Sequence, residues 1–220
     1  MCGIPVGSVG VVGLGAMGLH MARRLARRVP LTQVFDVNAA AVSAAVGDGC
    51  VAASTAAAAV KHAMVLTSLP RSSDVNRVAL DALEAGNVQP GLIWVDMTSG
   101  HPDESRATAA ALKDAGAWFL DAGVAGGPRG AEAGTLTCMV GGEAEQIAAA
   151  TPLLEALATK IVHVGAQSIV FQTFVPRLRR TSVPWTDPDA NTAWCRPCWR
   201  GSCCQGRKQH AASLPHHRSS

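Results

Sequence analysis

Short apolar runs alternate with longer alanine-rich segments along the first 165 residues. The apolar runs have the length of buried strands and end near residues 12, 36, 69, 96, 121, 140 and 164. Segments with helical character follow them at 16–28, 39–46, 55–62, 72–85, 103–115 and 143–158, and Asn38 is the predicted N-cap of the segment 39–46. Strands that alternate with helices are typical of a parallel sheet covered on both faces. The pattern therefore predicts an α/β fold with a doubly wound, mostly parallel sheet over residues 8–165.

A glycine motif ends the first apolar run. Gly13, Gly15 and Gly18 form G-x-G-x-x-G between the strand-like run 8–12 and a helical segment. In this motif the first glycine permits a tight turn, the second admits a pyrophosphate, and the third lets the helix pack close to the strand. Asp36 follows 23 residues after Gly13, close to the ~20 expected for an acid that binds the adenosine ribose. The motif predicts a dinucleotide site in a Rossmann-like domain, with a glycine turn that binds no ligand as the alternative.

Four loops at the carboxyl ends of the predicted strands are expected to share one rim of the sheet, where such sheets bind ligands. They contain the glycine motif, Leu69-Pro70, Thr98-Ser99 and the segment that follows Asp121. Residues 122–134 hold five glycines and are predicted to form a surface loop. The alternative is an anion-binding nest, because amides freed by consecutive glycines can hold a carboxylate.

Charge and hydropathy exclude several classes of protein. The net charge is +3, but residues 1–166 carry 11 Lys/Arg and 14 Asp/Glu, and the basic excess lies wholly in 167–220. Residues 1–166 therefore lack the excess of basic residues that is typical of a nucleic-acid-binding domain. No apolar run reaches the ~20 residues of a membrane span, and the N-terminus does not have the pattern of a secretory signal. We expect a cytoplasmic protein, with a mitochondrial location as the alternative.

Several motifs occur in an order that resembles the β-hydroxyacid dehydrogenases, which include 3-hydroxyisobutyrate dehydrogenase and 6-phosphogluconate dehydrogenase. The resemblance covers residues 8–165. Its motifs are Gly13-Leu14-Gly15-Ala16-Met17-Gly18, Asp96-Met97-Thr98-Ser99, Leu120-Asp121-Ala122 with Gly126-Gly127, and Gly134-Thr135-Leu136-Thr137 with Gly141-Gly142.

The resemblance implies a site for a nicotinamide cofactor and a small hydroxy-acid substrate, and it suggests a homo-oligomer. Leu69, Pro70 and Ser99 would line the nicotinamide half of the cofactor. The segment Ala125-Gly126-Gly127 would hold the substrate carboxylate or hydroxyls, although Ala125 replaces the serine usual there and Gly123 replaces a common proline. The predicted cofactor-binding residues are Gly13, Leu14, Gly15, Ala16, Met17, Gly18, Asp36, Asn38, Leu69, Pro70 and Ser99.

The choice between NAD and NADP depends on the segment after the second strand. Family members that prefer NADP usually place Asn-Arg-Thr there, whereas this chain has Asp36-Val37-Asn38. A carboxylate accepts hydrogen bonds from a free ribose 2′-hydroxyl and repels a 2′-phosphate. The sequence therefore favours NAD over NADP.

The catalytic lysine of the family has no counterpart at the matching place. In the family it lies just beyond the strand that corresponds to 161–164, but this chain has no lysine between Lys160 and Lys208. We therefore assign no catalytic residue and expect a chain truncated before the lysine helix, with little turnover of a hydroxy acid. The alternative is a non-catalytic dinucleotide-binding or interaction module.

Residues 166–220 differ in composition from the rest of the chain. They hold three of the five tryptophans and four of the seven cysteines, which suggests an altered reading frame and predicts a disordered tail. One alternative is a zinc site, because Cys195-x-x-Cys198 has the spacing of zinc ligands, with further ligands from Cys203, Cys204, His210 or His216-His217. We expect no metal, because the second cysteine pair is adjacent rather than spaced. An arginine-rich interaction tail is a third interpretation.

Overall fold

The computed structural model describes residues 7–165, all of which belong to one compact unit. Its eight strands are β1 (Ser8–Val12), β2 (Leu31–Phe35), β3 (Val51–Ala52), β4 (Met64–Thr67), β5 (Ile93–Asp96), β6 (Trp118–Ala125), β7 (Leu136–Gly141) and β8 (Ala158–Gly165). Its six α-helices are α1 (Gly18–Ala26), α2 (Ala39–Gly47), α3 (Ser72–Glu84), α4 (Pro102–Asp114), α5 (Gly127–Ala133) and α6 (Ala144–Leu157).

The strands form one sheet in the order β3-β2-β1-β4-β5-β6-β7-β8. Every neighbouring pair is parallel except β6 and β7, which are antiparallel. The chain leaves β1 toward β2 on one side and later returns to β4 on the other. The carboxyl ends of β1 and β4 therefore flank a topological switch point. The predicted doubly wound, mostly parallel sheet is confirmed.

Two apolar layers cover the sheet, one on each face. Helices α1, α2, α5 and α6 contribute buried residues to the first layer, in which Met21, Leu25 and Leu154 are fully enclosed. Helices α3 and α4 form the second layer around Trp94 and Leu112. None of the helices in residues 7–165 combines the length and apolar character required to cross a bilayer.

Local signals predicted the start of α2 correctly but failed for the segment 55–62. Asn38 caps α2, and its side chain accepts a hydrogen bond from the Ala40 amide at 3.0 Å. The helix predicted at 55–62 is wrong, because only a 3-10 turn forms at Ala58–Val60. Thr55 Oγ1 accepts the amide of Ala58, the first residue of this turn, at 3.0 Å. The chain must re-enter the sheet at β4 soon afterwards, which leaves room for a single turn.

The surface loop predicted at 122–134 is also wrong. β6 continues to Ala125, because the antiparallel β7 pairs Val124 with Cys138 and Ala125 with Thr137. Helix α5 follows, and Gly134 ends it in the left-handed conformation at φ 69°. This strand extension depends on pairing with β7, which local glycine content does not reveal. The predicted tail disorder and the zinc alternative both concern residues outside the described range.

Candidate dinucleotide-binding site

A cavity of about 720 Å³ lies at the switch point. Its walls come from the β1–α1 loop, the end of β2, the β4–α3 loop and one face of α3. Seven of the predicted cofactor-binding residues line it: Gly13, Gly15, Ala16, Met17, Asp36, Leu69 and Pro70. The remaining predicted residues, Leu14, Gly18, Asn38 and Ser99, are not part of this lining.

The three motif glycines meet different steric surroundings. Gly13 has φ 95°, and a Cβ there would overlap the carbonyl of Ser68. A Cβ on Gly18 would overlap the carbonyl of Gly13, so the start of α1 packs directly against the β1 turn. By contrast, a Cβ on Gly15 would meet nothing within 4 Å. The backbone at Gly15 therefore faces open space in the cavity, as a phosphate-binding loop requires.

Asp36 organises the glycine loop from the end of β2. Its Oδ2 accepts the Leu14 amide at 2.6 Å, and its Oδ1 accepts the Asn38 amide at 2.7 Å. The Leu14 side chain is 3% exposed and packs in the core. The Asn38 side chain is used to cap α2. Leu14 and Asn38 thus hold the Asp36 carboxylate in place from positions outside the cavity.

The loops after β4 and β5 are joined by two hydrogen bonds. Thr98 Oγ1 accepts the Leu69 amide at 3.0 Å, and Ser72 Oγ accepts the His101 amide at 2.7 Å. Ser99 lies between Thr98 and His101, which make these two hydrogen bonds, and it is exposed. The predicted substrate segment Ala125-Gly126-Gly127 is exposed where β6 ends and α5 begins. It does not line the cavity.

Sequence reasoning missed the contribution of α3. Asp74, Arg77, Val78 and Asp81 line the cavity opposite the glycine loop. Their spacing places them on one helix face, and this spacing is the feature of the sequence that could have identified them. The spacing alone did not show that this face borders the switch point.

A buried carboxyl pair lies near the same edge of the sheet. Asp96 and Asp121 are register partners on β5 and β6, and they are 2% and 1% exposed. Burial raises the pKa of Asp96 to about 6, against hydrogen bonds from Thr98 and Thr67 that lower it. Burial and the neighbouring charge of Asp96 raise the pKa of Asp121 to about 7. Sequence reasoning placed both residues at strand ends without bringing them together.

The chain matches a family model described as the NAD binding domain of 6-phosphogluconate dehydrogenase over residues 8–165. It belongs to the β-hydroxyacid dehydrogenase family. The NAD-dependent L-serine dehydrogenase of Pseudomonas aeruginosa is 41% identical over 160 residues, which cover 71% of this chain and 53% of that protein. The mitochondrial 3-hydroxyisobutyrate dehydrogenase of Drosophila melanogaster is 35% identical, over 72% of this chain and 49% of the relative.

A solved structure of the same kind supports this membership. The 3-hydroxyisobutyrate dehydrogenase of Mycobacterium tuberculosis, determined with L-serine, has a TM-score of 0.74 and 32% sequence identity. The match covers 78% of this chain and 59% of that structure. The cofactor class of this dehydrogenase domain is a nicotinamide dinucleotide. The chain spans about half the length of the curated relatives that it matches.

Proposed function

We propose that residues 8–165 bind NAD in preference to NADP, as the cofactor domain of a dehydrogenase that oxidises the hydroxyl of a small hydroxy acid. The observation that carries this proposal is the geometry of Asp36. Its two oxygens each accept one backbone amide, whereas an ionised carboxylate offers about four lone-pair sites. Asp36 also lines the cavity, so its remaining lone pairs are available to the hydroxyls of the adenosine ribose.

The same two hydrogen bonds argue against NADP. They hold the carboxylate at the end of β2, so that it cannot easily turn away from a 2′-phosphate. The cavity wall also carries Asp74, Asp81 and Arg77, and Arg71 forms an ion pair with Asp74 at 3.1 Å, so these groups together with Asp36 have a formal charge of −1. Like charges that are brought together in a partly closed cleft repel each other. An additional phosphate dianion would therefore be disfavoured.

The outer part of the cavity suits an adenine ring. Phe35, Val37, Ala56 and Val78 supply apolar lining beside Asp36. Mostly apolar walls with a few placed polar groups are typical of cofactor sites. With the adenosine at the end of β2 and the pyrophosphate at the β1–α1 loop, the nicotinamide would reach the loops after β4 and β5.

The substrate proposal comes from the relatives. Their names describe dehydrogenases of L-serine, 3-hydroxyisobutyrate and 2-(hydroxymethyl)glutarate, all of which are small hydroxy acids. Ala125-Gly126-Gly127 would contact the substrate carboxylate at the same edge of the sheet. The chain lacks a lysine between Lys160 and Lys208. This favours little turnover by the chain as it stands and supports a second candidate, a non-catalytic dinucleotide-binding or interaction module.

Calorimetric titration of the purified chain with NADH and with NADPH tests the cofactor proposal. NADH should bind at least tenfold more tightly. Asp36→Asn removes the charge but keeps one acceptor oxygen, and it should reduce that preference severalfold. Asp114→Asn changes an exposed aspartate at the end of α4 and should leave the preference intact. Equal affinity for the two cofactors, or a preference that survives Asp36→Asn, would overturn the proposal.

Turnover measurements test whether the chain is active by itself. The chain is mixed with NAD and either L-serine or 3-hydroxyisobutyrate, and NADH formation is followed by absorbance. A kcat near the ~10 s⁻¹ typical of enzymes would support the dehydrogenase and exclude the non-catalytic module. Cofactor binding without measurable NADH formation would agree with the expected truncation before the lysine helix and with the non-catalytic module.

A further inference from the structure

We propose that Thr98 is a positioning residue for the nicotinamide half of the dinucleotide. It would act by fixing the loop after β4 to the loop after β5. This inference extends the proposed function, because it requires that the cavity bind a nicotinamide dinucleotide.

Thr98 joins the Leu69 amide to the Asp96 carboxyl while it is almost fully buried, with 3% of its surface exposed. Its amide donates to Asp96 Oδ1 at 3.0 Å. Its Oγ1 accepts the Leu69 amide at 3.0 Å, and its hydroxyl also hydrogen bonds to the Asp96 carboxyl. Acceptor and donor roles of the hydroxyl are thus both in use, which fixes its orientation.

Asp96 anchors this arrangement to the sheet. Its Oδ1 also accepts the Thr67 hydroxyl at 2.7 Å, and Thr67 Oγ1 accepts the Trp94 indole N–H at 3.1 Å. Thr67, Asp96 and Trp94 are all buried on β4 and β5. A buried, fully connected network of this kind is rigid. The network therefore fixes the position of Leu69 relative to the carboxyl ends of β4 and β5.

The position of Leu69 matters because its loop forms one wall of the cavity. Ser68, Leu69 and Pro70 all line it. The Leu69 side chain also lies against the glycine loop, since a Cβ on Gly13 would approach Leu69 Cδ2 to 3.0 Å. A displacement of Leu69 would thus change the part of the cavity beyond the pyrophosphate. Asp36, which would hold the adenosine ribose, directly follows β2 and is not part of this network.

The fold does not depend on the Thr98 hydroxyl alone. Ser72 Oγ, which is buried, joins the same two loops through the His101 amide at 2.7 Å. Parallel pairing of β4 with β5 over four residues also remains. Removing the hydroxyl by Thr98→Val should therefore loosen Leu69 without unfolding the domain.

The test compares the binding of ADP-ribose, which lacks nicotinamide, with the binding of NADH to the full chain. Calorimetry is done on the wild type, Thr98→Val, Thr98→Ser and Thr108→Val. Thr108 is a matched control, because it is also buried and, among the described residues, its hydroxyl bonds only within α4, to the Glu104 carbonyl. We expect Thr98→Val to weaken the binding of NADH at least fivefold and the binding of ADP-ribose less than twofold. Thr98→Ser should restore NADH binding, and Thr108→Val should change neither ligand.

Equal weakening of both ligands by Thr98→Val, or no weakening of either, would overturn the positioning role. Failure of the wild type to bind ADP-ribose would instead overturn the proposed function, and with it this inference. Hydrogen exchange on the wild type gives a test that needs no variant. NADH, but not ADP-ribose, should slow amide exchange in 68–70 and 97–100, and equal protection by both ligands would contradict the proposal.

Discussion

Asp121 offers a sensitive test of the fold, because its carboxyl group is buried beside a second one. Its Oδ2 has no hydrogen-bond partner among the described residues, and Asp96 occupies the adjacent register position on β5. Burial and the charge of Asp96 raise the pKa of Asp121 to about 7. The native protein therefore keeps a proton on Asp121 at pH values where the unfolded chain has released it.

The sign and size of the effect follow from proton linkage. A carboxyl group with a raised native pKa contributes stability that is complete below its unfolded pKa and is lost as the pH rises through its native pKa. With an unfolded pKa of about 3.9 and the native value of about 7, the loss falls between about pH 4 and pH 7. Between pH 5 and pH 8 it lowers the free energy of unfolding by roughly 2.5 kcal/mol. Asparagine has the shape of the protonated acid but does not ionise, so Asp121→Asn should remove this loss.

The assay is urea unfolding of the wild type and Asp121→Asn at pH 5, 6, 7 and 8. Relative to the wild type, the variant should gain roughly 2.5 kcal/mol of stability between pH 5 and pH 8. Asp114→Asn removes a carboxylate that is exposed and should follow the wild-type profile. A difference between the wild type and Asp121→Asn that stays constant from pH 5 to pH 8 would refute the argument.

Four other substitutions have expected outcomes that differ in kind. Gly18→Ala forces a Cβ into the Gly13 carbonyl and should destabilise the fold by about 1–3 kcal/mol. Gly15→Ala should leave the melting temperature unchanged but weaken the binding of NADH about tenfold. If Gly15→Ala destabilised the fold and Gly18→Ala did not, the assigned packing would be contradicted. Asn38→Ala removes the cap of α2 and should cost about 1 kcal/mol in urea unfolding, whereas no loss would mean that another group caps the helix. Arg24→Met removes hydrogen bonds to carbonyl oxygens of α5 and α6 and should cost about 2 kcal/mol, whereas a neutral result would show that these contacts are replaced by water.

Features that depend on local spacing were predictable from the sequence. The strand-and-helix rhythm indicated the doubly wound sheet, and the glycine motif with Asp36 indicated the end of β1, where the structure has a cavity of about 720 Å³. Asn38 was identified as a helix cap, and Asn38 Oδ1 does accept the Ala40 amide. These signals work because capping, turn formation and strand burial involve residues close together in the chain.

Features that depend on distant partners required the tertiary structure. The extension of β6 to Ala125 comes from its pairing with β7. The α3 wall around Arg77 follows from which helix borders the switch point. The contact of Thr98 with Leu69 and the pairing of Asp96 with Asp121 each join residues more than twenty positions apart.

The sequence by itself determined the class of fold and the position of the glycine loop, because both depend on periodicity and on short-range backbone geometry. Only the tertiary structure decided which carboxylates share a buried space and which loops are tied together. Those relations depend on strand order and register, which bring distant segments within hydrogen-bond distance and remove them from water.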